Sequence, residues 1–482
     1  MDNNNAYGLE VEEDGGELIF SGAASWSMVG RSGESKAWDG VPADRNLLSF
    51  HRLKPLMNVK IARVFSGPVA CHCVAIAASP DGRAFIWGRN ETGQLGLGDR
   101  VNRYNPTVLE VAPGAKLSGA SCGSQHTFVW TTKGTAYSFG ANQCGQLGIG
   151  KRKKGNVLEP QQIPVFANTR IVSAGCGREF SIAVDSLGDV YAMGCPQYGQ
   201  LGNGTIGEYL EKAGKITYAN EATPIRIMGE MALSKSADSR IVKVACGPNH
   251  SVAMDKDGRL YTWGFGGYGR LGHGDVKNAL EPKAVELFSK VNPPPNPDLP
   301  SFMQRVIPNV RASQIAVGGS ATFAIAREPY FSLYQWGITK KSGECDTRPQ
   351  MLNQVQGWRI RTQACGNTSM IIGSQESLIA WGPGPTYGEL GYGPDAPKSS
   401  TTSKEVEDLK GTHVMQVAAG YAHSLAIVHP TKGKGKERLD ALGVFAPDEV
   451  AEKYLPSKGK SKGKKRKGGD AEGNGTKKSK GK

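Results

Sequence analysis

Four histidines, His72, His126, His250 and His423, are each followed by a hydroxyl or thiol residue: Cys73, Thr127, Ser251 and Ser424. Such pairs are the usual material of acid–base and nucleophilic catalysis. Here, however, they recur in one local pattern, Gly123-x-x-His126, Gly247-x-x-His250 and Gly420-x-x-His423, with a variant from Gly67 to Cys73. One repeated position cannot form a single active site four times over, so the histidines read as buried groups tying strands together. Cys71-His72-Cys73 has the residue types of a metal site, but the one-residue spacing and the lack of a second pair argue against zinc. No metal and no cofactor are expected. The nine cysteines are odd in number, and Cys122, Cys176, Cys246 and Cys365 each precede a glycine. That is repeat usage as a small buried residue, which implies a reduced, soluble, intracellular chain. The glycine-rich segments lack the Gly-x4-Gly-Lys-Ser/Thr order of a phosphate loop. Charge is concentrated in two runs, Lys151-Arg152-Lys153-Lys154 and Lys464-Lys465-Arg466-Lys467.

The elements that position these residues follow from the glycines. There are 64 in 482 residues, without a three-residue period, so collagen is excluded. Hydrophobic residues make up 39%, which excludes wholesale disorder. The segment Trp87-Gly88 through Gly93-Gln94-Leu95-Gly96-Leu97-Gly98 recurs from Phe139, Met193 and Trp263, and with one extra residue from Trp381. Phe20 to Gly30 and Trp336-Gly337 keep parts of it. Between each Gly-x-x-His unit and the next Trp-Gly lie two apolar runs split by Asp81-Gly82, Lys133-Gly134 or Asp257-Gly258, a hairpin signal. Seven copies of a hairpin followed by a glycine loop and more extended chain predict an all-β, seven-bladed propeller. The last Gly-x-x-His unit lacks a Trp-Gly strand, and the first such strand, Leu18 to Gly22, lacks a preceding unit. Pairing of these N- and C-terminal strands would close the ring and remove its open edges.

Three regions are expected: an acidic disordered N-terminus (1–14), the propeller (15–430), and a basic, mostly disordered tail (431–482). From residue 432 onward there are 16 Lys and Arg against 7 Asp and Glu, so +9 of the net +14 lies in the tail. No membrane span and no secretory signal are expected.

The Trp-Gly-x-Asn-x-x-Gly-Gln-Leu-Gly-x-Gly motif with Gly-x-x-His-Ser/Thr resembles the regulator of chromosome condensation repeat family over about residues 15–430. Gly264 to Gly272, Gly357 to Arg361 and Trp381 to Tyr392 are most similar to its telophase-disc, chromosomal-passenger-linked branch. The resemblance implies a platform that binds a Rho-, Ral- or Ran-like small GTPase and promotes guanine-nucleotide exchange, in cell-cycle and chromosome or spindle regulation. It implies a nuclear location, nucleolar or spindle- and centromere-associated during division, with a cytoplasmic pool. Exchange needs no covalent chemistry, only displacement of Mg²⁺ and phosphate contacts. Asp99 and Asp275, at the ends of two glycine loops, are GTPase-contact candidates, and the long insertion from about Thr205 to Arg240 is a candidate wedge. The alternative is a scaffold that binds chromatin, RNA or microtubules through the two basic runs. Light sensing, as in plant ultraviolet-B receptors of this propeller type, would need clustered tryptophans, and Trp38, Trp130 and Trp358 are too few.

Overall fold

The strand that begins at each repeated histidine position is buried, polar residues included, because both its faces are covered by neighbouring sheets. The computed structural model describes residues 14–26, 29, 46–150, 155–211, 214–233, 240–289, 310–328, 331–340 and 342–447. Within them seven antiparallel sheets succeed one another as blades, each with strands A to D from the central channel outward. Blade 1 comprises Ile61–Phe65, His72–Ala77, Ala84–Gly88 and Arg103–Val108; blade 2 comprises Leu117–Cys122, His126–Thr131, Ala136–Gly140 and Val157–Gln162. Blade 3 comprises Ile171–Cys176, Phe180–Asp185, Val190–Gly194 and Glu221–Ile227; blade 4 comprises Ile241–Cys246, His250–Asp255, Leu260–Gly264 and Ala279–Ala284. Blade 5 comprises Arg311–Val317, Ala321–Glu328, Ser332–Ile338 and Cys345–Met351; blade 6 comprises Ile360–Cys365, Met370–Ser374, Leu378–Gly382 and Ser400–Glu405.

Blade 7 joins the two ends of the ring, as the split repeat predicts. Its A and B strands are Thr412–Ala419 and His423–Gly433, its C and D strands Glu17–Gly22 and Leu47–Leu53. Ile19 pairs with Ala426, Phe20 with Leu425 and Ser21 with Ser424. The described chain continues past residue 430. A helix, Gly435–Ala441, follows strand B, and Val444–Phe445 pairs in parallel with the outer strand of blade 7. Arg52 ties this extension down, pairing with Glu17 and, at 3.2 Å, with Asp440.

The core lies between blades. One cluster joins Phe180, Ile182, Val184 and Leu201 of blade 3 to Val244, Tyr261 and Trp263 of blade 4. The Trp-Gly pair explains itself here: the tryptophan fills the interblade space, while Gly88 takes φ +123° with a virtual Cβ only 2.5 Å from the Cys71 carbonyl oxygen. No other residue fits that approach. The hairpin turns take the expected positive φ at Gly82, Gly134 and Gly258.

Strand D is the outer edge of blades 1 to 6 and is half-buried to exposed along most of its length. Pro106, Pro160, Pro224, Pro282 and Pro349 all lie in D strands, where a missing N–H costs nothing. The insertion expected as one loop from Thr205 to Arg240 therefore contains a blade strand: Glu221–Ile227 is strand D of blade 3. Ahead of it stands a separate hairpin of Glu208–Leu210 and Ile216–Tyr218. Among the described residues no helix is long and apolar enough to cross a membrane.

Candidate functional site

Because strands alternate in direction, the A–B turns and the C–D loops emerge on the same end of every blade. The glycine motifs, the histidines, Asp99, Asp275, the Glu208–Tyr218 hairpin and both flanks of the Lys151–Lys154 run all belong to this loop face. The two basic runs themselves, Lys151 to Lys154 and Lys464 to Lys467, lie outside the described residues, as do residues 1–13 and 448–482.

Each glycine loop braces itself. Asn90 Oδ1 accepts from Leu95 N at 2.9 Å, and Gln94 Oε1 accepts from Thr92 N at 3.0 Å. The motif leucines Leu95, Leu147, Leu201, Leu271 and Leu390 are buried beneath the loops. Asp99 belongs to this bracing: it accepts from Asn90 Nδ2 at 3.0 Å, Val101 N at 3.0 Å and Arg103 Nη2 at 2.6 Å. Burial opposes its ionisation, yet Arg103 and these donors hold the carboxyl below its ordinary range. Asp275 is exposed and accepts the N–H of Lys277 at 3.0 Å. The two aspartates stand on blades 1 and 4 and do not form one site. Asp99→Ala is expected to cost about 1 kcal/mol of stability, since three donors lose one partly exposed acceptor. Urea unfolding checks this. An unchanged midpoint would remove the bracing role and leave Asp99 free for a partner.

Each histidine links its blade to the next, at four of the seven junctions. His72 Nε2 lies 2.7 Å from Thr127 Oγ1 of the next blade, and that hydroxyl donates to Gln94 O at 2.6 Å. Its single proton is thereby committed, so it accepts from His72, which is the Nε2–H tautomer. His126 meets Ser181 Oγ at 2.9 Å, which donates to Gln146 O at 2.9 Å. His250 meets Thr322 Oγ1 at 3.2 Å, which donates to Arg270 O at 2.9 Å. His423 reaches Ser66 Oγ and Cys73 Sγ, each at 3.0 Å, across the seam between blades 7 and 1. All four rings are fully buried, and their Nδ1 atoms have no hydrogen-bond partner among the described residues. Burial holds His72 and His423 down to about 3, His126 to about 4, and His250 well below its ordinary value. They are neutral structural rungs. His72 and Cys73 address different blades, so Cys71, His72 and Cys73 do not converge on one ion.

Three further features take their meaning from the tertiary structure. In blade 4 the motif glutamine is replaced by Arg270, which is buried and donates to Gly267 O at 2.8 Å and Gly319 O at 2.9 Å. Burial pulls it down to about 10, and it lies over the rings of Phe265 and Tyr268 at 4.8 and 5.5 Å. The Glu208–Tyr218 hairpin presents Tyr209, Leu210 and Ile216 to solvent, a cluster of exposed apolar side chains flanked by Glu208 and Glu211. Its only sequence signal is the proline of Glu221–Ile227, which marks the resumption of strand D and so isolates residues 205–220 as an excursion. The central channel, about 400 Å³, is lined by innermost-strand residues including Ser66, Ser173, Lys243, Gln363 and Gln416. The tryptophans of the Trp-Gly motifs are interior, as is Trp26.

The model of the regulator of chromosome condensation (RCC1) repeat matches residues 81–130, 133–184, 188–254 and 257–325, and a second RCC1 repeat model matches 119–146, 171–200 and 241–270. Protein RCC2 homolog of Danio rerio is 38% identical over 448 residues, covering 91% of this chain and 86% of the relative. Protein RCC2 of Homo sapiens is 37% identical, with 91% and 81% covered. Among solved structures, human WBSCR16 is similar with TM-score 0.66 at 20% identity, over 86% of this chain and 99% of that one. Prp20p of Saccharomyces cerevisiae, described with its binding properties to Gsp1p and histones, is similar with TM-score 0.62 at 20% identity, over 91% and 94%.

Proposed function

We infer the function from one premise: the chain belongs to the RCC1 repeat family, with RCC2 proteins among its relatives. It is a propeller platform that binds a small GTPase on its loop face and accelerates release of the bound nucleotide, in the service of chromosome or spindle regulation. The observation that carries this reading is the kinship to RCC2 proteins over 91% of the chain. Prp20p, of the same fold, is described with binding to Gsp1p. The branch linked to the telophase disc and chromosomal passengers, and a nuclear location with spindle or centromere association, belong to the same proposal.

The contact falls to the Glu208–Tyr218 hairpin. Its apolar residues would seat on the GTPase, and Glu208 and Glu211 would compete for the Mg²⁺ site, weakening the phosphate contacts. Asp99 and Asp275 remain candidates on the rim. Release of a fluorescent guanine nucleotide from purified Rho-, Ral- and Ran-type GTPases tests the proposal. At least a tenfold acceleration for one of them is expected, with most of it lost in Leu210→Asp, because an exposed apolar contact becomes a desolvated charge. Absence of binding to any nucleotide-free GTPase would end it.

A second reading rests on the charge of the tail, +9 from residue 432 onward. As a scaffold the chain would hold chromatin, RNA or microtubules through Lys464 to Lys467 and Lys151 to Lys154. Removal of residues 457–482 should then weaken binding and flatten its salt dependence, since each neutralised phosphate releases counterions. Unchanged affinity for DNA, RNA and tubulin argues for the first reading alone.

A further inference from the structure

Cys144, Glu179 and Cys195 come from three separate segments and meet at the junction of blades 2 and 3. Cys144 is in the C–D loop of blade 2, Glu179 in the A–B turn of blade 3, and Cys195 opens the C–D loop of blade 3. One ligating atom from each, two sulfurs and a carboxylate oxygen, lies within 4.8 Å of the other two. The backbone around them is braced. The Cys144 N–H donates to Gln146 Oε1 at 2.9 Å, and the Cys195 N–H donates to the Glu179 carbonyl at 3.0 Å. Cys195 is buried, Cys144 half-buried and Glu179 exposed, so the site opens to solvent on one side.

We propose that these three side chains bind a thiophilic divalent cation, zinc(II), on the loop face. Two sulfurs with one carboxylate suit a borderline-soft ion and not calcium or magnesium, which take oxygen ligands. Zinc bonds of about 2.3 Å to sulfur and 2.0–2.2 Å to oxygen place tetrahedral donors roughly 3.3–3.8 Å apart. The existing separations close to that range by a shift on the order of 1 Å, which the exposed Glu179 side chain can supply. Three protein ligands leave the fourth position to water. Among the described residues the other seven cysteines join no such group: Cys71, Cys73, Cys122, Cys176, Cys246 and Cys365 are buried, and Cys345 is half-buried without two further ligating side chains beside it.

The ion would clamp two loops together. The loop holding Cys144 continues into Lys151 to Lys154, and the one opened by Cys195 carries the Glu208–Tyr218 hairpin. The site does not depend on the GTPase reading, and its test measures metal alone. The full-length, reduced, metal-stripped protein is titrated with cobalt(II). One equivalent should bind with thiolate-to-cobalt charge transfer in the near ultraviolet and the intense visible bands of a tetrahedral ion, and zinc(II) should displace it. Cys144→Ser/Cys195→Ser should abolish both signals, Glu179→Gln should weaken binding at least tenfold, and Cys345→Ser should change nothing. Absence of a charge-transfer band, or its survival in the double variant, overturns the proposal. So does a reduced protein that takes up no cobalt while mild peroxide joins Cys144 to Cys195, which would make the pair a thiol–disulfide couple.

Discussion

Acidification from pH 7 to pH 5 is expected to strip this propeller of much of its stability, through four histidines that catalyse nothing. In the unfolded chain each titrates near its ordinary value of about 6.5. In the folded chain His72 and His423 are held to about 3, His126 to about 4 and His250 well below that ordinary value, all by burial first. The unfolded state therefore binds protons that the folded state refuses. The stabilisation is fully present above pH 6.5 and is lost progressively as pH falls to about 3. Protonation would place an N–H on a buried Nδ1 with no acceptor among the described residues. The loss at pH 5 is about 2 kcal/mol for each of His72, His126 and His423, roughly 6 kcal/mol together, with His250 adding in the same direction, and this is comparable with the whole stability of a typical domain. Asp255, which burial raises to about 6, acts in the opposite sense and offsets part of one histidine. Urea midpoints measured from pH 7.5 to 4.5 check this. His72→Gln/His423→Gln should lower the plateau near pH 7 and flatten the slope below it. A slope identical to that of the unaltered chain would rule these histidines out as its source.

Trp263→Ala should cost about 3–5 kcal/mol. The side chain is fully buried in the cluster between blades 3 and 4, and its Nε1 donates to Gln200 O at 3.0 Å. That carbonyl keeps a second donor, Ser251 Oγ at 3.1 Å, so the loss is mainly cavity and apolar area. Trp263→Phe, which keeps most of the area and gives up the hydrogen bond, should cost about 1–2 kcal/mol. Trp358 is half-buried, and Trp358→Ala should cost under about 1 kcal/mol. Denaturant unfolding of the three variants gives the ranking. Equal losses for Trp263→Ala and Trp358→Ala would mean that the blade junctions do not carry the fold.

The number of blades, their order and the shared blade at the seam were legible because each rests on local chemistry. A glycine at positive φ, a tryptophan before it and an apolar run of five or six residues need no knowledge of the partner strand. Even the reduced copies at Phe20 and Trp336 kept enough of this chemistry to form strand C. The strand Glu221–Ile227 is hidden inside the Thr205–Arg240 insertion because the Glu208–Tyr218 hairpin separates it from the glycine loop that leads directly into strand D in other blades.

The candidate site was less legible. That His72, His126, His250 and His423 share a position could be read from their spacing; that each proton goes to a hydroxyl in the following blade, 55 residues away for His72 and His126, could not. Nor does anything near Cys144 announce Cys195 or Glu179. By itself the amino-acid sequence determined the repeat, hence the strands, the turns and the closed ring, since these follow from neighbours within a few residues. The ring alone decided which residues meet across a blade junction and which share the loop face. Those contacts join separate repeats, and their energies come from burial and hydrogen bonds that exist only once the blades are packed.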